Sequence, residues 1–165
     1  MARFKSAESI FIAAPVEERD RRLQLYVIFT DFERTQKALD AAHELARDLE
    51  ARLVLLAAQV VPYPLPLESP PVSEQFTESI MSRLLREQEA EIEARIYLCR
   101  DRDQTIRRAL GADSLVVIGT RGRWWPGGER KLARLLRRDG HHVILLDAKR
   151  ARPAAVRLEH IPSSL

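Results

Sequence analysis

The stretch Leu115-Val-Val-Ile-Gly-Thr-Arg-Gly122-Arg-Trp-Trp-Pro-Gly-Gly-Glu-Arg130 decides the fold of this chain. Four apolar residues run directly into a glycine-rich turn, and a basic helical pattern follows the turn. A strand that ends in glycines just before a helix is the usual way in which an α/β protein directs backbone N–H groups at a phosphate. The stretch therefore predicts a strand, a phosphate-type loop and a helix.

The composition is that of one soluble domain. The chain has 165 residues, 45% of them hydrophobic and 31% charged, which is enough to bury a sizeable core. No apolar run approaches the roughly 20 residues that a membrane span needs, and the first residues do not form a secretory signal. Cys99 is the single cysteine, so no intramolecular disulfide can form. We expect a cytoplasmic protein that does not enter a membrane.

Strand and helix patterns alternate on both sides of the opening stretch. The predicted strands cover 23–30, 53–58, 91–98, 115–119 and 141–146, and the predicted helices cover 34–50, 73–90, 103–110 and 129–139. The third strand alternates strictly between apolar and polar residues, so it belongs at or near an edge, whereas the first, second and fourth are apolar on both faces. With right-handed crossovers, these patterns predict an α/β fold: a five-stranded parallel sheet in the order 3-2-1-4-5, with helices on both faces.

Residues 1–22 and 149–165 lie outside this alternation. Residues 9–16 are mostly apolar and predict an extra N-terminal strand that ends at or before Pro15, with a flexible arm as the alternative for residues 1–22. Residues 149–165 are basic and then interrupted by proline, which predicts an irregular tail. The α/β domain itself is therefore expected to span residues 23–148.

The predicted strand order brings two distant segments to one crevice. The chain reverses its direction across the sheet between strands 1 and 4, and ligands of open α/β sheets bind at the carboxyl ends of the strands at such a point. Asp31 ends strand 1, and the turn Gly119-Thr-Arg-Gly122 ends strand 4. We therefore expect Asp31 and the glycine turn to face the same crevice, although Asp31 and Gly119 are 88 positions apart in sequence.

The segment Gly111-Ala-Asp-Ser-Leu-Val-Val-Ile-Gly-Thr-Arg-Gly-Arg123 resembles the G-A-D-L-I-V-M-G-S-H-G-R segment of universal stress proteins. The first strand ending in Asp31, the helix that leads into Ala51-Arg-Leu-Val-Leu-Leu56 and the final strand Val143-Ile-Leu-Leu146 also match the family. The resemblance covers roughly residues 23–148. It implies the universal stress protein fold, which is related to that of the adenine nucleotide alpha hydrolases.

Members of that family divide into ATP binders and non-binders. The binders carry an aspartate after strand 1, a small apolar residue in strand 2 and the motif G-x2-G-x9-G-[S/T]. Asp31 matches the aspartate, Ala58 lies near the strand-2 position, and Gly119 and Gly122 match the first two glycines. The resemblance implies that the aspartate serves the adenine end and that the glycine N–H groups hold phosphates.

The last part of the motif is altered in this chain. Leu132 stands ten positions after Gly122, and an alignment on the final strand instead places Glu129 and Arg130 where Gly and Ser/Thr belong. A carboxylate at a helix N-terminus favours the helix dipole but repels a phosphate. Residues 124–126, Trp-Trp-Pro, are bulky and stiff where the family has a flexible loop. We therefore expect no ATP binding of the family type and no cofactor.

A nucleotide-binding switch or weak ATPase is the alternative. Arg121, Arg123 and Arg130 would then offset the charge of Glu129, and Gly127 and Gly128 would supply alternative N–H donors. The complete set of nucleotide-binding residues, if the site is retained, would be Asp31, Ala58, Gly119, Arg121, Gly122, Gly127, Gly128 and Arg130.

The basic helix that follows the glycine turn has two interpretations. It is a solvated helix face, or it binds an acidic partner, either a protein or a nucleic acid, of which the protein is preferred. The residues that would contact such a partner are Trp124, Trp125, Lys131, Arg134 and Arg138. The two tryptophans either face that partner or fill the empty nucleotide crevice.

No metal site or catalytic grouping is predicted. His141 and His142 are neighbours on a strand and point to opposite faces, and no Ser-His-Asp or Cys-His arrangement has a suitable spacing. In the resembling family the last strand often pairs across a two-fold axis, so Val143 and Leu145 are expected at a homodimer interface. The overall expectation is a non-catalytic protein of the stress response, or a regulatory or scaffold subunit.

Overall fold

A computed structural model describes residues 4–6, 23–88, 91–122 and 127–149, with only the backbone given at 4–6 and at residue 74. Strands and helices alternate through these segments. In chain order they are β1 (Phe4–Ser6), β2 (Gln24–Ile28), α1 (Phe32–Asp48), β3 (Arg52–Val60), α2 (Glu74–Arg86), β4 (Ile92–Cys99), α3 (Arg102–Ala109), β5 (Leu115–Thr120), α4 (Gly128–Arg138) and β6 (His142–Asp147). None of the described helices is both long and apolar enough to cross a bilayer.

The sheet has the order β1-β4-β3-β2-β5-β6, and every neighbouring pair is parallel. The five strands from β2 onward reproduce the predicted order 3-2-1-4-5, so the fold prediction is confirmed. The short strand β1 adds to β4, with Phe4 opposite Ala94, and makes β4 the second strand from the edge. The extra strand predicted at 9–16 lies outside the described residues.

The helices form two layers, one on each face of the sheet. Helices α1 and α2 cover one face, where Leu39 and Met81 pack on inward side chains of β2 and β3. Helices α3 and α4 cover the other face, where Ile106 and Leu132 pack on the alternate residues of the same strands. Strands β2 and β5 are buried on both faces, as expected for the middle of a parallel sheet.

Helix α1 lies unusually close to β5 because Gly119 has no side chain. A Cβ atom at this position would overlap the backbone carbonyl oxygen of Arg34 on the first turn of α1. The alanines of α1 also favour a close approach, since Ala38 and Ala42 are fully buried against the sheet. This contact places the N-terminal turn of α1 directly beside the end of β5.

Helix α2 departs from the predicted packing at its first turn. The periodicity predicts a buried stripe that begins at Phe76, but the Phe76 side chain is 57% exposed, so that prediction is wrong. The helix meets the core further along, where Met81 and Leu84 are fully buried. Its start is instead tied to β3 by polar contacts, as Thr77 Oγ1 donates to Gln59 Oε1 at 2.8 Å.

Candidate functional site

The carboxyl ends of β2 and β5 form a narrow crevice between the first turns of α1 and α4. The two strands are hydrogen-bonded neighbours, with Ile28 opposite Ile118, so the residues that follow them emerge side by side. The crevice is lined by Arg34, Thr120, Arg121, Gly122, Gly127, Glu129 and Arg130. The structure thus brings Asp31, through its contact with Arg34, to the same crevice as the glycine turn.

The side chain of Arg34 crosses this crevice. Its Nε lies 2.5 Å from Asp31 Oδ2, and its Nη1 donates to Glu129 Oε1 at 2.9 Å. The Arg34 and Glu129 side chains are only 14% and 20% exposed, so water screens this ion pair little. One guanidinium therefore joins the first turns of two helices that pack on opposite faces of the sheet.

Asp31 is already engaged within its own helix. Its Oδ1 accepts the backbone N–H of Arg34 at 2.8 Å, which makes Asp31 the N-cap of α1. Burial alone would raise the pKa of Asp31, but the backbone and side-chain hydrogen bonds from Arg34, with the charges of Arg34 and Arg121, lower it below its usual value. Both oxygens of the Asp31 carboxylate therefore accept hydrogen bonds from Arg34.

The glycine turn contains a backbone conformation that favours glycine. Gly122 has a φ of +130°, a region in which residues with a side chain are strained. Its carbonyl oxygen accepts a hydrogen bond from Arg130 Nη2 at 3.0 Å. Arg130 is consequently bound to the turn, and it lines the crevice beside it.

The N-terminus of α4 is covered by its own acidic side chain. Gly127 is the N-cap and provides no side-chain cap, and Gly128 begins the helix in an exposed position. A Cβ atom at Gly127 would collide with Glu129 Oε2, so the Glu129 carboxylate folds back over the start of α4. A negative charge at this point is favourable to the helix dipole, and it lies where a bound phosphate would gain from the same dipole.

Little space remains in the crevice once these contacts are made. The cavity bounded by the described lining residues measures about 30 Å³. Ligand pockets commonly measure about 300–1,000 Å³. The cavity between the described lining residues is therefore about ten times smaller than the smallest of these pockets.

The remaining predicted nucleotide residue, Ala58, is on β3 and does not line this cavity. It is half-buried and packs against the core beneath α3 and α4. Gly119 is also absent from the lining, because its role is the close approach to α1. Of the candidate residues for nucleotide binding, four thus line the crevice: Arg121, Gly122, Gly127 and Arg130. Ala58 and Gly119 instead have structural roles.

The predicted partner and dimer residues occupy the α4 and β6 region. Lys131, Arg134 and Arg138 are all exposed on α4. Val143 and Leu145 are half-buried and pack towards the α3–α4 face of the sheet. Trp124 and Trp125 lie outside the described residues.

A larger depression of about 360 Å³ lies near the end of α1, lined by His43, Arg47, Glu50, Glu91 and their neighbours. It is at the amino ends of β3 and β4, opposite the end at which open α/β sheets bind ligands. The glycine turn and the ion-pair network lie at the carboxyl ends. We therefore place the candidate site at the smaller crevice.

His141 and Cys99 are buried within the fold. His141 is buried, and its Nδ1 accepts the backbone N–H of Ser114 at 3.3 Å. Burial raises the pKa of the Cys99 thiol, which favours its protonated form. No group of three His, Cys, Asp or Glu side chains among the described residues is arranged to hold a metal ion.

Two residues at the crevice, Arg34 and Asp147, could not be identified from the sequence alone. Arg34 lies three positions after Asp31, which is a pairing distance on a helix, and this spacing is the one local signal for its role. Asp147, at the end of β6, lies against Gly122, where its carboxylate would be within 3.7 Å of a Cβ atom. Asp147 reaches Gly122 because β6 pairs with β5, and no local sequence pattern indicates this contact.

Comparisons with known proteins agree with the geometry. No protein-family model matches the chain, and no curated protein matches its sequence significantly. Among solved structures, a protein of the universal stress protein family from Burkholderia pseudomallei superposes with a TM-score of 0.51 at 24% identity, covering 74% of this chain and 94% of that one. A universal stress protein from Archaeoglobus fulgidus gives a TM-score of 0.51 at 16% identity, covering 76% and 93%.

These identities are low, so the comparison establishes the fold. The superposed part accounts for nearly the whole length of both solved structures, and the strand order is the one that the sequence predicts. The chain therefore has the universal stress protein fold.

Proposed function

We propose that this chain is a universal-stress-protein-like, non-catalytic protein that acts in a stress response or as a regulatory or scaffold subunit, without binding ATP in the family manner. The fold supports the first part of the proposal. The observation that carries the second part is the side chain of Arg34, which spans the crevice between Asp31 and Glu129.

The charges in the crevice oppose a triphosphate. Glu129 places a carboxylate at the N-terminus of α4 and uses the Arg34 guanidinium that would otherwise be available to an anion. To enter, a phosphate would have to break a charged hydrogen bond that contributes roughly 1.5–3 kcal/mol. It would also leave Glu129 half-buried beside another negative group, which is a further cost.

The decisive test is nucleotide binding by the purified full-length protein. Mass spectrometry of small molecules released on denaturation, followed by titration calorimetry with ATP, should detect neither co-purified ATP nor binding at micromolar concentrations. Glu129→Gln removes the competing charge at nearly constant volume and serves as the comparison. Micromolar ATP binding by the unmodified protein would overturn the proposal.

The alternative, a nucleotide-binding switch or weak ATPase, is supported by the retained turn at Gly119 and Gly122 and by the cations Arg121 and Arg130. It makes a distinct prediction in the same calorimetric experiment. ATP binding would then be present in the unmodified protein and lost in both Asp31→Ala and Gly122→Val. Binding that survives both substitutions would contradict this alternative.

The proposal includes a homodimer that forms through β6. This strand is at the edge of the described sheet, so its outer backbone groups are unpaired by any described strand. An apolar edge strand tends to pair with a second copy of the chain. Sedimentation velocity should therefore give twice the chain mass of 18.9 kDa, and a monomer at micromolar concentration would contradict this part.

We further propose a cytoplasmic location. The support is chemical: the lone thiol of Cys99 is buried and has no cysteine with which to form an intramolecular bond. Fractionation of cells that express a tagged protein tests this point, and recovery from an extracytoplasmic fraction would contradict it.

A further inference from the structure

The two helix layers carry very different charges. Helices α3 and α4 contain eight basic and two acidic residues, a net charge of +6, as counted from their sequences. Helices α1 and α2, on the other face, contain five basic and six acidic residues, a net charge of −1. The whole chain is only +3, so the positive charge is concentrated on the α3–α4 face.

Three of these cations form a ridge along α4. Lys131, Arg134 and Arg138 follow each other at spacings of three and four residues, which places them on one side of the helix. We call these three residues the basic ridge. It extends over about 10 Å at a helical rise of about 1.5 Å per residue. The opposite side of α4 is fully buried through Leu132 and Leu136, so the ridge faces outward.

Internal carboxylates engage both ends of this face. Lys131 Nζ lies 3.4 Å from Asp103 Oδ2 of α3, and Arg107 of α3 forms two hydrogen bonds with Asp139, at 2.5 and 2.9 Å. These pairs link the two helices at the surface. Arg134 and Arg138, between the two pairs, form no salt bridge with any described residue. The surface therefore binds carboxylates at its ends, with Arg138 beside Asp139, and the exposed guanidinium groups of Arg134 and Arg138 form no ion pair with a described residue.

We propose that the α3–α4 face is a docking surface for an acidic helical segment of a protein partner, with carboxylates on successive turns of that segment paired to Arg134 and Arg138. Arginine is suited to this role because its planar group binds a carboxylate through two parallel hydrogen bonds. The inference goes beyond the proposed function and does not depend on the state of the nucleotide crevice.

A nucleic acid fits this surface less well. Asp103 and Asp139 flank the ridge, so a continuous phosphate backbone that followed it would meet a carboxylate at each end. Neither α3 nor α4 contains an aromatic residue on which a base could stack. A peptide can instead limit its negative charges to the turns that face Arg134 and Arg138.

The test uses the full-length protein and three fluorescent probes. The first is a helix-forming peptide of about 15 residues with Glu at the fourth and seventh positions of each seven-residue repeat. The second is the same peptide with each Glu replaced by Gln. The third is a DNA duplex of about 15 base pairs. Binding is measured by fluorescence anisotropy at low and high salt. The variant Arg134→Gln with Arg138→Gln is compared with Arg47→Gln plus Arg86→Gln, which removes two exposed arginines from the other helix layer.

The proposal expects the Glu peptide to bind the unmodified protein in a salt-dependent manner, and the Gln peptide to bind about tenfold more weakly or not at all. The variant Arg134→Gln with Arg138→Gln should bind the Glu peptide about tenfold more weakly than the unmodified protein. The control variant Arg47→Gln with Arg86→Gln should change the affinity less than about twofold. Equal loss in both variants, no binding of the Glu peptide, or tighter binding of the duplex would each overturn the proposal.

Discussion

The Nη1 of Arg34 lies 2.9 Å from the Oε1 of Glu129, although 95 positions separate the two residues. The contact joins the first turn of α1 to the first turn of α4 across the end of the sheet. Asp31 binds the same guanidinium through Nε, so three charged groups from two helices form one partly buried network. This network is the structural difference on which the proposed loss of family-type ATP binding depends.

Replacement of Arg34 by alanine should destabilise the protein. The substitution leaves the carboxylates of Asp31 and Glu129 close together without their shared cation, and we expect a loss of about 1.5–3 kcal/mol in the free energy of unfolding. Urea denaturation measures this directly. Arg47→Ala, on the exposed side of the same helix, is the matched control and should cost less than about 0.5 kcal/mol. Equal stability of Arg34→Ala and the unmodified protein would contradict the importance of the network.

The contribution of the Asp31 charge should depend on pH in one direction. Its pKa is lowered in the folded protein, so its ionised form stabilises the fold above the pKa of the unfolded chain, about 4, and this stabilisation is lost as the pH falls through the folded value. Asp31→Asn retains a helix cap but removes the charge. The stability difference between the two proteins should be constant from about pH 5 to 7 and shrink below about pH 4. A stability difference that grows towards acid pH would contradict a lowered pKa of Asp31 in the folded protein.

Gly119 and Gly128 should respond oppositely to alanine. A Cβ atom at Gly119 would overlap the Arg34 carbonyl oxygen, and a backbone atom cannot rotate away, so we expect Gly119→Ala to cost about 1–3 kcal/mol. A Cβ atom at Gly128 meets no described atom within 4 Å, and the helix propensity of alanine should make Gly128→Ala neutral or stabilising by up to about 1 kcal/mol. Thermal denaturation of both variants tests the close approach of α1 to β5.

Thr30 and Thr35 provide a second contrast. Thr30 Oγ1 is buried and has no hydrogen-bond partner among the described residues, so Thr30→Val should be neutral or stabilising by up to about 1 kcal/mol. The hydroxyl of Thr35 is fully buried and accepts the backbone N–H of Thr30 at 3.1 Å. Thr35→Val leaves that N–H without an acceptor and should cost about 1–3 kcal/mol. Chemical denaturation distinguishes the two, and similar losses in both would contradict this assignment.

The strand order could be predicted from the sequence because one strand differs from the others. Residues 91–98 alternate in polarity, while the strands at β2, β3 and β5 are apolar on both faces, and this contrast places the alternating strand away from the centre. The proximity of Asp31 to the glycine turn then follows from the order alone. Periodicity carries this information because it reports how many faces of a strand are covered.

The chemistry of the crevice could not be predicted in the same way. The sequence shows Glu129 at the start of a helix, but the cation that neutralises it comes from Arg34, and no spacing rule relates positions so far apart. Phe76 illustrates a similar limit. Helical periodicity identifies the apolar side of α2, but it does not show that the first turn of the helix extends beyond the core.

The position of Glu129 can also be described in terms of effective concentration. Because this carboxylate is part of the chain, its concentration at the Arg34 guanidinium is set by the fold and does not fall on dilution, whereas a soluble anion must supply its own concentration. Any phosphate compound that enters the crevice therefore competes with a tethered ligand that is always present. The contact between Arg34 and Glu129 therefore raises the apparent dissociation constant of such a compound by a factor that the fold sets and that dilution does not change.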